Sequence, residues 1–216
     1  MAKTMAAYPL SFSIDYPDRK LDRLTSFFRP ITVIPILIIL SLITGAGYHW
    51  GVGGEWQWQW GGYEYAAAGL LFLPLILMLL FRQKYPKWWF DWNVALTKFS
   101  ARVSAYSALL RDEYPSTDED QAVHIDIPYP DAQKDLNRGL PLVKWFLAIP
   151  HYVVLAFLGI AVVVVVVIAW FAILFTGRYP KSLFDFVVGV LRWALRVSVY
   201  AFLLTTDRYP PFSLSD

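Results

Sequence analysis

The sequence holds few side chains of a kind that does chemistry inside a protein, and each stands in a definite context. His151 follows Pro150 at the head of a long apolar run. A neutral imidazole in that position can ligate a haem or a chlorophyll-type pigment. An isolated histidine in an apolar helix more often hydrogen-bonds a neighbouring helix, and that is the reading preferred here. His49 and His124 lie far from it along the chain, and no HExxH, paired-histidine spacing or cysteine accompanies them, so no metal site is expected. Asp91 and Asp185 each follow a Tyr-Pro-Lys corner. Two such carboxylates could relay protons, but capping the helix that starts at the corner, or pairing with Arg102 or Arg196, is the simpler expectation. Arg102, Arg192 and Arg196 interrupt apolar stretches and suit anionic lipid headgroups, or plain snorkelling. Trp50, Trp56, Trp58 and Trp60 crowd one loop, the last three alternating with Gln. They read as an aromatic face for a partner or as an interfacial belt. No phosphate loop or nucleophile elbow is present, so no enzyme is expected and no catalytic residue is assigned.

The elements that carry these residues are shaped by an apolar excess. The chain is 57% hydrophobic and only 17% charged, where a soluble domain is about 25% charged. That surface needs lipid as a second solvent. The net charge of +2 is too small to suggest nucleic-acid binding.

Motifs recur in order along the chain. Tyr16-Pro17-Asp18 returns as Tyr129-Pro130-Asp131, Ile34-Pro35 as Ile149-Pro150, and Tyr85-Pro86-Lys87 as Tyr179-Pro180-Lys181. Phe90-Asp91-Trp92 returns as Phe184-Asp185-Phe186, and Asp112 to Pro115 as Asp207 to Pro210, at offsets between about 94 and 115 residues. The pattern implies an internal duplication: a first membrane unit over 8–115, a linker over 116–122 and a second unit over 123–216. Short alternating stretches, Ser11 to Asp15 and Val123 to Ile127, predict a strand at the head of each unit.

Apolar runs at Ile31 to Thr44 and Ala66 to Phe81 predict two spans in the first unit. The run from Leu142 to Thr176 is long enough for two short spans, and alignment of the units predicts a hairpin at Gly159. Residues 45–65 contain no Lys or Arg, although the chain has 19. The positive-inside rule therefore places both termini in the cytoplasm and the tryptophan loop outside. Trp88 to Leu110 and Leu183 to Thr205 carry charges within apolar sequence and read as helices lying in the cytoplasmic interface. The expected fold is an all-α integral membrane protein. Four transmembrane helices form two parallel repeats, each followed by an interfacial amphipathic helix, with short cytoplasmic strands.

The chain resembles a family of bacterial inner-membrane proteins grouped as a domain of unknown function. The resemblance rests on Ile149-Pro150-His151, Phe175 to Pro180, Phe184-Asp185-Phe186, Arg192 to Arg196, and Asp207 to Phe212. It implies a multi-pass protein of the bacterial inner membrane with no assigned activity. The first unit departs from the pattern, with Ile36 in place of the histidine.

The function these features lead us to expect is a non-catalytic accessory or scaffolding subunit of a larger membrane complex. Membrane-protein subunits and anionic lipids are its expected partners, with bound lipid and no cofactor. The alternative is a lipid or small-solute binding or transport protein with its site between the two units.

Overall fold

The computed structural model describes residues 8–44, 75–117, 119 and 121–215. Strand β1 (Ser11–Ile14) pairs antiparallel with β2 (Val123–Asp126), Phe12 opposite Ile125 and Ser13 opposite His124. Both strands alternate, burying Phe12 and Ile14 from one and Val123 and Ile125 from the other. This is the period-2 pattern of a sheet with one covered face. The covered face rests on helices.

Helix α1 (Arg23–Thr44) begins eight residues before the apolar run that predicted it. A π-helical turn at Met78–Arg82 leads through Pro86 into α2 (Lys87–Ser107). A 3-10 turn (Leu140–Leu142) and a short α3 (Lys144–Leu147) precede α4 (Ile149–Thr176). Helix α5 (Lys181–Ser198) closes in a second π-helical turn, Val199–Leu203. Helices α4 and α5 lie against one another. The chain reverses between them at Gly177, whose φ of 74° requires the left-handed conformation that glycine adopts without strain.

One expectation is overturned. There is no hairpin at Gly159: α4 runs unbroken for 28 residues, through that glycine. A lone glycine weakens a helix by only about 1 kcal/mol. Its apolar neighbours supply no turn chemistry, and a break in apolar surroundings would orphan backbone hydrogen bonds. Among the described residues three helices are long and apolar enough to cross a membrane: Arg23–Ser41, Ile149–Thr176 and Lys181–Leu203. Of the expected span Ala66 to Phe81, positions 66–74 lie outside the described residues, as do Trp50, Trp56, Trp58 and Trp60.

The main core gathers Phe12, Ile14 and Ile125 from the sheet with Ile173 of α4 and Phe184 and Val187 of α5. A smaller cluster joins Ala148 to Trp193, Val197 and Tyr200. By contrast α4 leaves Val153, Phe157, Ile160, Val163 and Phe175 exposed, more apolar surface than a water-facing helix carries.

Candidate functional site: two buried cation stations and a cleft at a seam

The strongest polar features are two buried cations at the roots of the apolar helices. Arg29, in the second turn of α1, is 2% exposed. Its guanidinium donates to the Arg111 carbonyl at 2.7 Å, pairs with Asp112 Oδ1 and sits 4.4 Å over the Tyr106 ring. The other Asp112 oxygen accepts the Asp22 backbone N–H at 2.9 Å. Lys144, opening α3, is completely buried. Its Nζ donates to the Thr206 carbonyl at 2.7 Å, pairs with Asp207 Oδ1 at 2.7 Å and lies 5.3 Å from the Tyr200 ring. The other Asp207 oxygen accepts the Asn137 backbone N–H at 2.6 Å. Burial lowers the Lys144 ammonium from its ordinary value, opposed by its hydrogen bond to Asp207. In both stations the charge is held by an opposite charge, a carbonyl and an aromatic face, as a buried cation requires.

The two arms of the molecule also exchange contacts. The Tyr16 hydroxyl donates to the Tyr179 carbonyl, and the Tyr129 hydroxyl to the Tyr85 carbonyl. Lys181 lies over Tyr16 at 5.1 Å, and Lys87 over Tyr129 at 5.7 Å. Beside the first pair a cleft of about 240 Å³ opens at the seam, lined by Tyr16, Asp18, Arg19, Arg178 and Tyr179. A second cleft of about 230 Å³ shares Asp18 and Arg19 and continues to Arg111, Asp112 and Glu113. Burial is the largest single influence on the Glu113 carboxyl and raises it. Hydrogen bonds from Arg111 and the Ala122 N–H, with the charges of Arg111 and Arg19, together outweigh it and hold the group below the ordinary carboxylate value. Along the chain Tyr16-Pro17-Asp18 and Tyr179-Pro180-Lys181 are separate recurring motifs. Only their meeting in space makes them walls of one cleft.

The residues singled out from sequence fall elsewhere. His151 is completely buried, and its Nδ1 accepts the Trp193 indole N–H at 3.0 Å. Its ring stacks on Phe212 at 4.0 Å and leans on Tyr209 at 4.8 Å. Nδ1 is therefore the acceptor nitrogen, and the proton of the neutral ring sits on Nε2, which is buried without a hydrogen-bond partner. A helix–helix hydrogen bond, from Trp193 of α5 to His151 of α4, describes this histidine.

The three arginines do not form one outward patch. Arg102 is buried and donates to the Ser116 carbonyl at 2.8 Å. Arg192 donates to the carbonyls of Phe12 and Leu214, at 3.2 and 3.0 Å. Arg196, 2% exposed, reaches the Ser213 carbonyl at 3.3 Å. These guanidiniums fasten β1 and the C-terminal tail onto α5, a use for which a five-donor fork is suited.

Asp91 and Asp185 are not caps. Pro86 and Pro180 occupy the N-cap positions, and no side chain caps either helix. Each aspartate lies in the second turn, exposed, and pairs with the lysine four residues earlier: Asp91 with Lys87 at 3.0 Å, Asp185 with Lys181 at 3.8 Å. Proline fits the extended cap position, so the first helical residue is the lysine and the carboxylate arrives too late to reach the free N–H groups.

Among the described residues no group of three or more His, Asp or Glu could hold a metal ion. Neither the curated proteins nor the solved structures include a match to this chain. Residues 141–213, from the 3-10 turn through the C-terminal tail, match the family model Domain of unknown function (DUF4389), and Lys144, His151, Arg192, Arg196 and Asp207 lie within the matched segment.

Proposed function

We propose that this chain is a non-catalytic scaffold of a bacterial inner membrane, built from two duplicated units, whose ligand is the phosphate-bearing headgroup of an anionic lipid held at the seam between them. The observation that carries this reading is the cleft of about 240 Å³, whose lining brings Arg19 and Arg178 together with Tyr16, Asp18 and Tyr179. Two guanidinium-bearing side chains on the lining of one small opening suit a phosphate. The opening adjoins the start of α1 and the C-terminal end of α4, where headgroups of the cytoplasmic leaflet would stand. The duplication is supported by the paired stations and by the reciprocal tyrosines, whose partners are the motif positions that recur along the chain.

Purification in mild detergent followed by native mass spectrometry tests this. The expected result is an anionic phospholipid retained by the wild type and lost in an Arg19→Ala, Arg178→Ala double variant. Equal retention by both would overturn it.

A second reading, accessory subunit of a larger complex, is favoured by Trp88 and Trp92 on the outer side of α2, 70% and 55% exposed. Tryptophans exposed together are the residues that anchor protein interfaces. Recovery of stoichiometric partner subunits in the same preparation supports it; a strictly solitary protein counts against it.

A further inference from the structure

Length and composition allow α4 and α5 to cross a membrane, but their attachments argue for a different placement. Arg192, in the middle of the apolar stretch Lys181–Leu203, donates to the Phe12 carbonyl of β1. The sheet is thus fastened beside the midpoint of α5. On that sheet Asp15 and His124 pair at 3.0 Å with about 60% of each side chain exposed, and Ser11, Ser13 and Asp126 are exposed as well. Were α5 upright, these groups and the open strand edges would lie at the centre of the hydrocarbon. Open sheet edges do not occur against lipid, and each exposed charge there is penalised by at least about 2.5 kcal/mol.

Helix α4 lies antiparallel alongside α5. His151 near its start meets Trp193, and the chain turns directly from its end into α5. Both of its ends are tied to the same body. At the C-terminal end Gly177 accepts the Leu21 N–H at 2.9 Å, and Arg23 reaches the Phe175 carbonyl at 3.1 Å. At the other end the Tyr209 hydroxyl donates to the Leu147 carbonyl at 2.9 Å. An upright helix of 28 residues, about 42 Å long, would also exceed a hydrocarbon core of about 30 Å.

Charge agrees. Exposed Arg19, Lys20 and Arg23 surround the C-terminal end of α4, and exposed Arg82, Lys84 and Arg138 flank its approach at the other end, where Arg138 donates to Gln83 at 2.8 Å. An upright α4 would put these two basic groups on opposite faces of the membrane. A helix lying in the plane puts both on one face, in keeping with the stretch 45–65, which has no Lys or Arg and so belongs on the opposite side.

We infer that α4 and α5 lie along one leaflet, α4 immersed by its exposed apolar surface, the sheet on the water side, and anionic phospholipid headgroups at the two basic ends of α4. The inference rests on the membrane placement proposed above, but not on what the seam cleft binds.

The chain has no cysteine, so single cysteines report cleanly. Gln133→Cys, Ser182→Cys and Ser13→Cys mark one side of α4, its other end and the sheet. Each variant is probed with a membrane-impermeant maleimide in sealed inside-out and right-side-out vesicles from expressing bacteria. All three are expected to react in inside-out vesicles and to be protected in right-side-out ones. Reaction of Gln133→Cys and Ser182→Cys in vesicles of opposite sense overturns the inference while leaving the protein in the membrane. Reaction only in detergent would place that position in lipid and overturn it equally. Release of the wild-type chain by an alkaline carbonate wash would sink the membrane placement itself. For the headgroups, Lys20→Ala and Lys84→Ala, neither of which lines the cleft, are each expected to weaken retention of phosphatidylglycerol relative to phosphatidylcholine in nanodiscs about fivefold. Unchanged selectivity would overturn that part.

Discussion

Lys144 and His151 show how much a single buried polar group controls here. Lys144→Met leaves Asp207 without its cation, and breaking one side of a buried pair destabilises by about 3–5 kcal/mol. Thermal unfolding in mild detergent should therefore show a large fall in Tm. The same lysine sets a pH dependence. Its folded-state value is lowered, so folding carries a penalty at pH below that value, and the penalty is relieved as pH rises toward the ordinary 10.5. Stability at alkaline pH below about 10 should rise with pH in the wild type. In Lys144→Met this part of the slope should vanish, and an unchanged slope would assign it to another group. Trp193→Phe keeps the packing but leaves His151 Nδ1 unpaired, at a cost of about 1–3 kcal/mol, again read as Tm.

Among the elements, the turns that end the apolar helices are the sensitive joints. Gly177 has φ 74°, and Gln83, at the corresponding corner before Tyr-Pro-Lys, has φ 45° without being glycine. An added Cβ at Gly177 would also meet the Lys20 side chain at 3.5 Å. Gly177→Ala should destabilise by about 1 kcal/mol, and Gln83→Gly should stabilise by up to about that amount. Opposite shifts in denaturation midpoint would check the pair. A glycine followed two residues later by Tyr-Pro, as at 177–180, has the chemistry that ends a helix. Nothing along the chain signals that Gln83 adopts the same backbone, since glutamine has no preference for it. The strands were equally readable, four residues of alternation within two of their observed ends. The hairpin at Gly159 was misread because a glycine in an apolar helix looks the same whether the chain turns or continues.

For the protein as one body, the exchange of tyrosines between halves has a consequence. Expressed alone, residues 116–216 lack the Tyr16 that holds Tyr179, and a second copy can offer Tyr129 in its place. The fragment should form a detergent-stable dimer by light scattering coupled to size exclusion, and Tyr129→Phe should weaken it. A monodisperse monomer would remove the support that these contacts give to duplication. The same exchange explains why the seam cleft was invisible before: Arg19 and Arg178 approach only because two distant Tyr-Pro corners cross.

What could be read before any fold was known were the properties that depend on near neighbours along the chain. These were the apolar excess that calls for lipid, the short strands, the proline corners that start α2 and α5, and the clustering of basic residues away from 45–65. Tertiary structure decided the rest. It made α4 one helix, buried Lys144 and Arg29 against carboxylates that arrive from 63 and 83 residues away by sequence (207 − 144 and 112 − 29). It turned the arginines of α2 and α5 inward to backbone carbonyls. The reason is common to all of these. Arginine and lysine carry the same charge wherever they stand, and only the partner brought to them by folding determines whether that charge faces lipid, water or the chain itself.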